Sequence, residues 1–361
     1  MDLAKNDNQI LVDFKEKRQQ YEEIEKIASK KIQKMIKDKK IFVMEVSHRV
    51  KEEASLKGKL SRKKNKYKSR FDITDLIGFR IICYFSDTVD VISSFIPDLF
   101  NIDYKNSIDK RKMYEDNQFG YLSVHYICSL KKSEEYDDAL TDIRFEIQIR
   151  TVLQHAWAEI EHDLGYKSRF GVPRPIRREF SRIAGLLELA DEEFVNLRTQ
   201  TKDYVSETRK KIAEDKADDL LLDEVTLQEY IQSNVVLNHV IDEFCRELKC
   251  DYISSRTERY LPELDWLGVK TIGDFRNILH SNQEITFEMI KRQVKAMELD
   301  LVTSSMFLRN VCRAELMKAD YSRDQIIRFM QISSEEDENA VSHADELLKE
   351  KESLKAEGKF F

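Results

Sequence analysis

A chain of 361 residues, 41% apolar and 35% charged, has enough apolar material for two ordinary domains with real cores. Nine glycines and four prolines are under a third of the usual share (about 7% and 5% in average proteins), so long helices are expected. Nothing approaches the run of about 18 apolar residues that a membrane span needs, and the start, MDLAKNDNQILVDFKEKRQQ, has no secretory apolar core. Five cysteines, an odd number without paired spacing, make neither a disulfide framework nor a zinc site. A cytoplasmic protein without membrane contact is expected.

Charge is unevenly spread. The net of −7 divides into −10 over residues 201–361 (23 basic, 33 acidic) and +3 over residues 1–200. Residues 45–70 hold ten basic side chains against Glu45, Glu52 and Glu53. Such an excess in an acidic protein points to a partner carrying several phosphates, with a solvated helix face as the alternative. Long duplexes are disfavoured by the acidic remainder, while an RNA or tRNA contact through Lys63, Lys64, Lys66 and Lys68 is a further reading.

In chain order, residues 8–44 repeat apolar positions at helical spacing (Ile10, Leu11, Phe14, Tyr21, Ile24, Ile27, Ile32, Met35), and a second helix is expected over 52–64. Residues 78–85, GFRIICYF, read as a buried strand, 89–99 as a short helix, and 122–130 and 143–150 as two more strands. The last alternates Ile143, Phe145, Ile147 and Ile149 against Arg144, Glu146, Gln148 and Arg150, so polar groups project together from one face. Helices follow over 151–166, closed by Gly171, Pro173 and Pro175, and over 176–213. Residues from about 218 onward carry helix pattern almost throughout. The turn LGVKTIGDF at 267–275 reads as a helical hairpin turn; its resemblance to the helical module at the end of the RNA polymerase alpha subunit gives a nucleic-acid role as the other reading. The acidic tail after Ser333 is expected to fray.

Four clusters carry chemistry. Ser55, Lys59 and Arg62 are three and four apart on one helix face, with Arg49 and Lys51 entering from the preceding turn, a set of cations able to clamp a triphosphate. Asp75 leads into LIGFRI, and GYLSVH (120–125) and FEIQIRT (145–151) follow, the last continuing to His155, Trp157, Glu161 and His162. Two acids on strands, Asp75 and Glu146, beside a phosphate clamp suggest a Mg²⁺ site, since Mg²⁺ takes one or two carboxylates and completes its shell with water and phosphate. Taken singly, each acid reads as a salt-bridge partner and each histidine as a structural one.

Together, DLIGFRI, GYLSVHY and FEIQIRTVLQHAWAEIEHDLGYK resemble the synthetase domain of the RelA/SpoT family over residues 46–167. The resemblance implies an α+β fold, a nucleotidyltransferase-like mixed sheet flanked by helices, over residues 1–205. A mostly helical regulatory or oligomerisation domain would follow over 206–361. It implies a GTP pyrophosphokinase that uses ATP and GDP or GTP to make the alarmones ppGpp and pppGpp. Arg49, Lys51, Ser55, Lys59 and Arg62 would bind ATP phosphates, and Arg80 would stack on adenine. Asp75 and Glu146 would be the catalytic Mg²⁺ ligands, and Tyr121, His125, Gln148, Arg150, His155 and Glu161 would serve the acceptor. Leu122 and residues 109–119 depart from the family pattern, with Arg111 as the candidate second adenine-stacking arginine, so the acceptor stays open. A toxin-type relative acting on tRNA 3′ ends or adenine nucleotides, and a non-catalytic nucleotide sensor, are the alternatives. The one adjacent His-Asp pair, His162-Asp163, lies inside the synthetase motif, and residues 1–45 leave no room for an alarmone hydrolase domain, so no hydrolase activity is expected.

Overall fold

The N-terminal apolar series folds as two nearly continuous helices, α1 (Leu3–Glu16) and α2 (Arg18–Asp38), whose inner stripe buries Ile10, Phe14, Tyr21, Ile24, Ala28, Ile32 and Met35. The computed structural model describes residues 3–62, 67–109, 123–166, 174–319, 321–333 and 337–359. α2 ends where Lys40 takes φ +52: its N–H donates to Lys37 O (3.1 Å) and that of Ile41 to Ile36 O (3.0 Å), the paired bonds of a Schellman close with lysine in glycine's usual place. The helix predicted to residue 44 therefore stops early. Val43–Val50 becomes strand β1, because its valines pair antiparallel with β2 (Ile77–Cys83). Arg49, expected in a turn, lies on that strand.

Four further strands complete the sheet: β3 (Phe100–Ile102), β4 (Ile108–Asp109), β5 (Val124–Leu130) and β6 (Phe145–Thr151). The order is β1-β2-β6-β5-β3, with β4 also on β5. β2 and β6 run parallel and the other pairs antiparallel, so the sheet is mixed. Helices α3 (Glu53–Arg62), α4 (Ser86–Leu99), α5 (Val152–Tyr166) and α6 (Arg174–Ala213) accompany it. One face is apolar: Phe79, Ile81, Phe145, Ile147 and Ile149 are buried, with Phe145 edge-on to Phe79 (5.4 Å) and to Phe100 (5.1 Å). Each such side chain contributes about 1.5–3 kcal/mol by leaving water, and α2 and α4 pack on these strands. The other face follows from the strand period of two. Register aligns Arg49, Gly78 and Glu146 in one row and Ser47, Arg80, Gln148 and His125 in the next.

The chain divides into two units, Met1–Thr199 and Gln200–Phe361, the division falling within α6. The second unit is helical: α7 (Glu224–Ser233), α8 (Val235–Leu248), α9 (Leu261–Trp266), α10 (Ile272–Ala296), α11 (Ser304–Lys318), α12 (Arg323–Ser333) and α13 (Asp337–Ala356). A short parallel pair, β7 (Asp251–Ile253) and β8 (Leu301–Thr303), which the helical pattern hid, joins them. The turn at 267–275 connects α9 to α10, with Gly268 at φ +82 where a side chain would be strained. The N–H groups of Lys270 and Thr271 both donate to the Asp274 carboxylate (3.0 Å each), and the Lys270 ammonium pairs with Asp265. A phosphate at this turn would compete with the protein's own carboxylates. The acidic tail expected to fray is instead α13, which buries Ala340, Ala344, Leu347 and Leu354 at three- to seven-residue intervals. Among the described residues no helix is long and apolar enough to cross a membrane.

Candidate active site

The polar face of the sheet opens into a cleft of about 280 Å³ lined by Arg49, Lys51, Asp75, Arg80, Glu146 and Gln148, together with Ser47, His48, Gly78 and Phe79. Strand alternation aims these groups, since Arg49 (β1), Arg80 (β2), and Glu146 and Gln148 (β6) all occupy the non-core phase of adjacent strands. Gly78 sits between Arg49 and Glu146, and a Cβ built there meets nothing within 4 Å. The floor stays open because that strand position has no side chain.

Asp75 precedes β2, and Lys51 follows β1. Their chains are locked together by the Lys51 N–H donating to Leu76 O (2.8 Å). The Asp75 carboxylate accepts from Lys51 Nζ at Oδ2 (2.5 Å) and from Lys59 Nζ, on α3, at Oδ1 (2.6 Å). Burial pushes the Asp75 carboxyl up, but the two ammonium groups outweigh it and hold it below its ordinary value. Burial also pulls Lys51 below its ordinary value despite Asp75.

Glu146 is held by neutral and titratable partners. His125 Nδ1 lies 2.7 Å from Oε1, and Gln148 Nε2 donates to Oε2 (3.0 Å); Arg150 Nη2 in turn donates to Gln148 Oε1 (2.8 Å). Burial raises the Glu146 carboxyl, and the His125 and Gln148 contacts more than offset that, leaving it lowered. Asp75 acts on it in the opposite sense, as a nearby like charge. The two acids therefore share a field, which a divalent cation would relieve. Their hard oxygens and their number suit Mg²⁺. Among the described residues no group of three or more His, Cys, Asp and Glu side chains forms a denser cluster.

Of the site residues expected from the sequence, the cleft brings together Arg49, Lys51, Asp75, Arg80, Glu146 and Gln148, with Lys59, His125 and Arg150 one contact behind. Ser55 and Arg62 are exposed on α3, where Arg62 Nε donates to Gly58 O, and neither lines the cleft. Glu161 is exposed on α5. His155, on the same helix, is half-buried, and burial, Arg150 and Arg80 keep its ring below its ordinary value. Tyr121, Leu122, Arg111 and the Lys63, Lys64 and Lys66 run lie outside the described residues. The sequence reading missed Glu159, whose carboxylate receives Arg80 Nη1 (3.3 Å) and faces His155 Nδ1 (3.6 Å). Its spacing of four from His155 was the available signal.

Residues 48–170 match the family described as the region found in RelA / SpoT proteins. Two curated Bacillus subtilis (strain 168) proteins are similar to this chain. GTP pyrophosphokinase YjbM is 28% identical over 165 residues, 44% of this chain and 73% of the relative. GTP pyrophosphokinase YwaC is 27% identical over 141 residues, 36% of this chain and 59% of the relative. The crystal structure of small alarmone synthetase 2 from Bacillus subtilis matches with a TM-score of 0.45 at 24% identity, covering 52% of this chain and 99% of that one.

Proposed function

We propose that the first unit transfers the β,γ-pyrophosphate of ATP to the 3′-hydroxyl of GDP or GTP, giving ppGpp or pppGpp and AMP. The observation that carries this is the meeting of Asp75 and Glu146 with Arg49, Lys51 and Arg80 in one cleft, on a segment whose relatives are named GTP pyrophosphokinases. The acceptor oxygen bonds to the β-phosphorus, the bond from that phosphorus to the oxygen bridging to the α-phosphorus breaks, and AMP leaves with that oxygen. The proton of the 3′-hydroxyl passes to the Glu146 carboxylate, which His125 and Gln148 hold in orientation. Arg49 makes no ion pair among the described residues and stands ready for phosphate oxygens. Lys51 and Lys59 exchange their hold on Asp75 for the same charge. Mg²⁺, held by Asp75 and Glu146 when bound, would supply charge neutralisation on the phosphates. Positioning and neutralisation are what this reaction class needs, since transfer passes through a transition state with little covalent demand on the protein.

The test uses ATP labelled on its γ-phosphate with Mg²⁺ and, in separate tubes, GDP, GTP, AMP and deacylated tRNA. Label on a guanine nucleotide with release of AMP supports the proposal. Label on tRNA or AMP alone overturns the acceptor, and nucleotide binding without transfer in any tube overturns catalysis.

A further inference from the structure

The cleft strand β6 passes directly into α5 at Thr151, whose side chain is fully buried. Its backbone N–H donates to Gln154 Oε1 (3.0 Å), and its hydroxyl accepts from the Gln154 N–H (3.1 Å), closing the first turn of α5. The hydroxyl's own hydrogen goes to Asp191 Oδ2 on α6 (2.7 Å). Asp191 is only 3% exposed, and its other oxygen, Oδ1, has no hydrogen-bond partner among the described residues. A buried carboxylate with one oxygen unmatched is costly to keep, and nothing in the transfer chemistry uses it.

What it holds is the joint. One residue before Thr151, Arg150 reaches Gln148 and, through it, Glu146; four residues after it stands His155, and eight after it Glu159, the partner of Arg80. The far side of the helix pair is fixed separately, by Trp157 Nε1 donating to Phe180 O (3.2 Å) and its ring edge-on to Phe180. Among the described residues, α5 is therefore attached to α6 around Trp157, by its ring packing and its N–H, and at Thr151 by the bond to Asp191. Removing the bond to Asp191 frees the end of α5 that adjoins the cleft.

We propose that Asp191 is a positioning residue for the transfer site, orienting Thr151 and through it the strand-to-helix joint that sets Glu159 and His155 against Arg80. This rests on the function proposed above. Its consequence falls on the donor side, because Arg80 lines the cleft and is steadied by Glu159, while Glu146 keeps its own partners.

The full chain is tested as wild type, Asp191→Ala, Asp191→Asn, Thr151→Val and the double variant Asp191→Ala with Thr151→Val. Asp191→Ala and Thr151→Val are each expected to raise the KM for ATP about tenfold or more, with kcat within about twofold. Asp191→Asn keeps an oxygen that accepts from Thr151 and is expected to keep the wild-type KM. The double variant is expected to be no worse than Thr151→Val alone, because that change already removes the bond to Asp191 together with the cap on the Gln154 N–H. An unchanged KM in a folded Asp191→Ala or Thr151→Val chain overturns the proposal, as does Asp191→Asn failing as badly as Asp191→Ala. The same ratios are read from the Kd of a fluorescent ATP analogue. A wild type that binds the analogue without transferring pyrophosphate overturns the functional reading and leaves these ratios to judge Asp191. A wild type that does not bind it overturns both.

Discussion

His125 and Glu146 meet diagonally across two antiparallel strands: His125 on β5 lies opposite Gln148 and Ile127 opposite Glu146, yet the imidazole Nδ1 comes within 2.7 Å of Glu146 Oε1. With Gln148 on the second oxygen, each carboxylate oxygen has one fixed partner before any substrate arrives and keeps a further acceptor site open. In the neutral ring this contact makes Nδ1 the protonated nitrogen. Glu146 is thus ionised, oriented and placed at the cleft wall, as a base that accepts a hydroxyl proton requires.

Glu146→Gln preserves the shape and a carbonyl that accepts from one neighbour, while removing the charge. Transfer is expected to fall by about 10²–10⁴ with the melting temperature little changed. Asp75→Asn is expected to lose transfer to a similar extent and also to melt lower, since Lys51 and Lys59 lose their charged acceptor. Steady-state rates beside thermal melts check both. Full activity in either variant would refute the assigned pair.

Lys51→Met leaves the Asp75 carboxylate with one ammonium in place of two, in a half-buried setting. The expected loss of stability is about 1–3 kcal/mol, the cost of an unmatched buried polar contact. Added Mg²⁺ is expected to restore more stability to this variant than to wild type, because the vacated oxygen then takes the cation. Urea titrations with and without Mg²⁺ measure the difference. Equal effects in both chains would sink the assignment of Asp75 to a cation site.

Gly78→Val puts a β-branched side chain at a strand position whose Cβ has open space around it. Folding is expected to be unharmed or slightly improved, since valine suits a strand better than glycine. Nucleotide affinity is expected to drop by about tenfold or more as the methyls fill the floor between Arg49 and Glu146. Melting curves and ATP-analogue titration separate the two effects. Unchanged affinity would mean that the nucleotide does not lie over this row.

Strands β2, β5 and β6 and helix α3 were legible because their signals are local. Residues 143–150 alternate apolar and polar side chains, which fixed the face presenting Glu146, Gln148 and Arg150. β1 was hidden because the helical period of α2 runs into it without a glycine or proline; what stops the helix is Lys40 in a left-handed conformation, a choice that tertiary pairing with β2 rewards. Helical spacing put Ser55 and Arg62 beside Lys59, and Lys59 reaches the cleft carboxylate Asp75, while α3 is oriented by burying Leu56 and Leu60. Glu159, apart from its spacing of four from His155, and Asp191 were hard to single out for another reason. On charged helices a carboxylate is ordinary, and only the contact with Arg80 or Thr151 distinguishes it.

Asp191 also gives the molecule a pH signature whose sign follows from its surroundings. Burial pushes its carboxyl up to about 6, Glu188 on the same helix adds to the rise, and the Thr151 hydroxyl opposes it only in part. A carboxyl that is harder to ionise in the folded chain than in the unfolded one favours the fold while protonated. That contribution is whole below the unfolded value, near 4, and is lost as pH rises through about 6. Asparagine has no such titration. The melting temperature of Asp191→Asn relative to wild type is therefore expected to rise between about pH 4 and pH 7 and to level off above. Asp75 and Glu146 act with the opposite sign: both are lowered, so their contribution is present above the ordinary carboxylate range and fades on acidification. Because those two are common to both chains, subtracting the wild-type melting curve from that of Asp191→Asn cancels them. A difference flat across this range would mean that Asp191 ionises as freely in the folded chain as in water, and that its carboxylate is not held in the buried site at the head of α5.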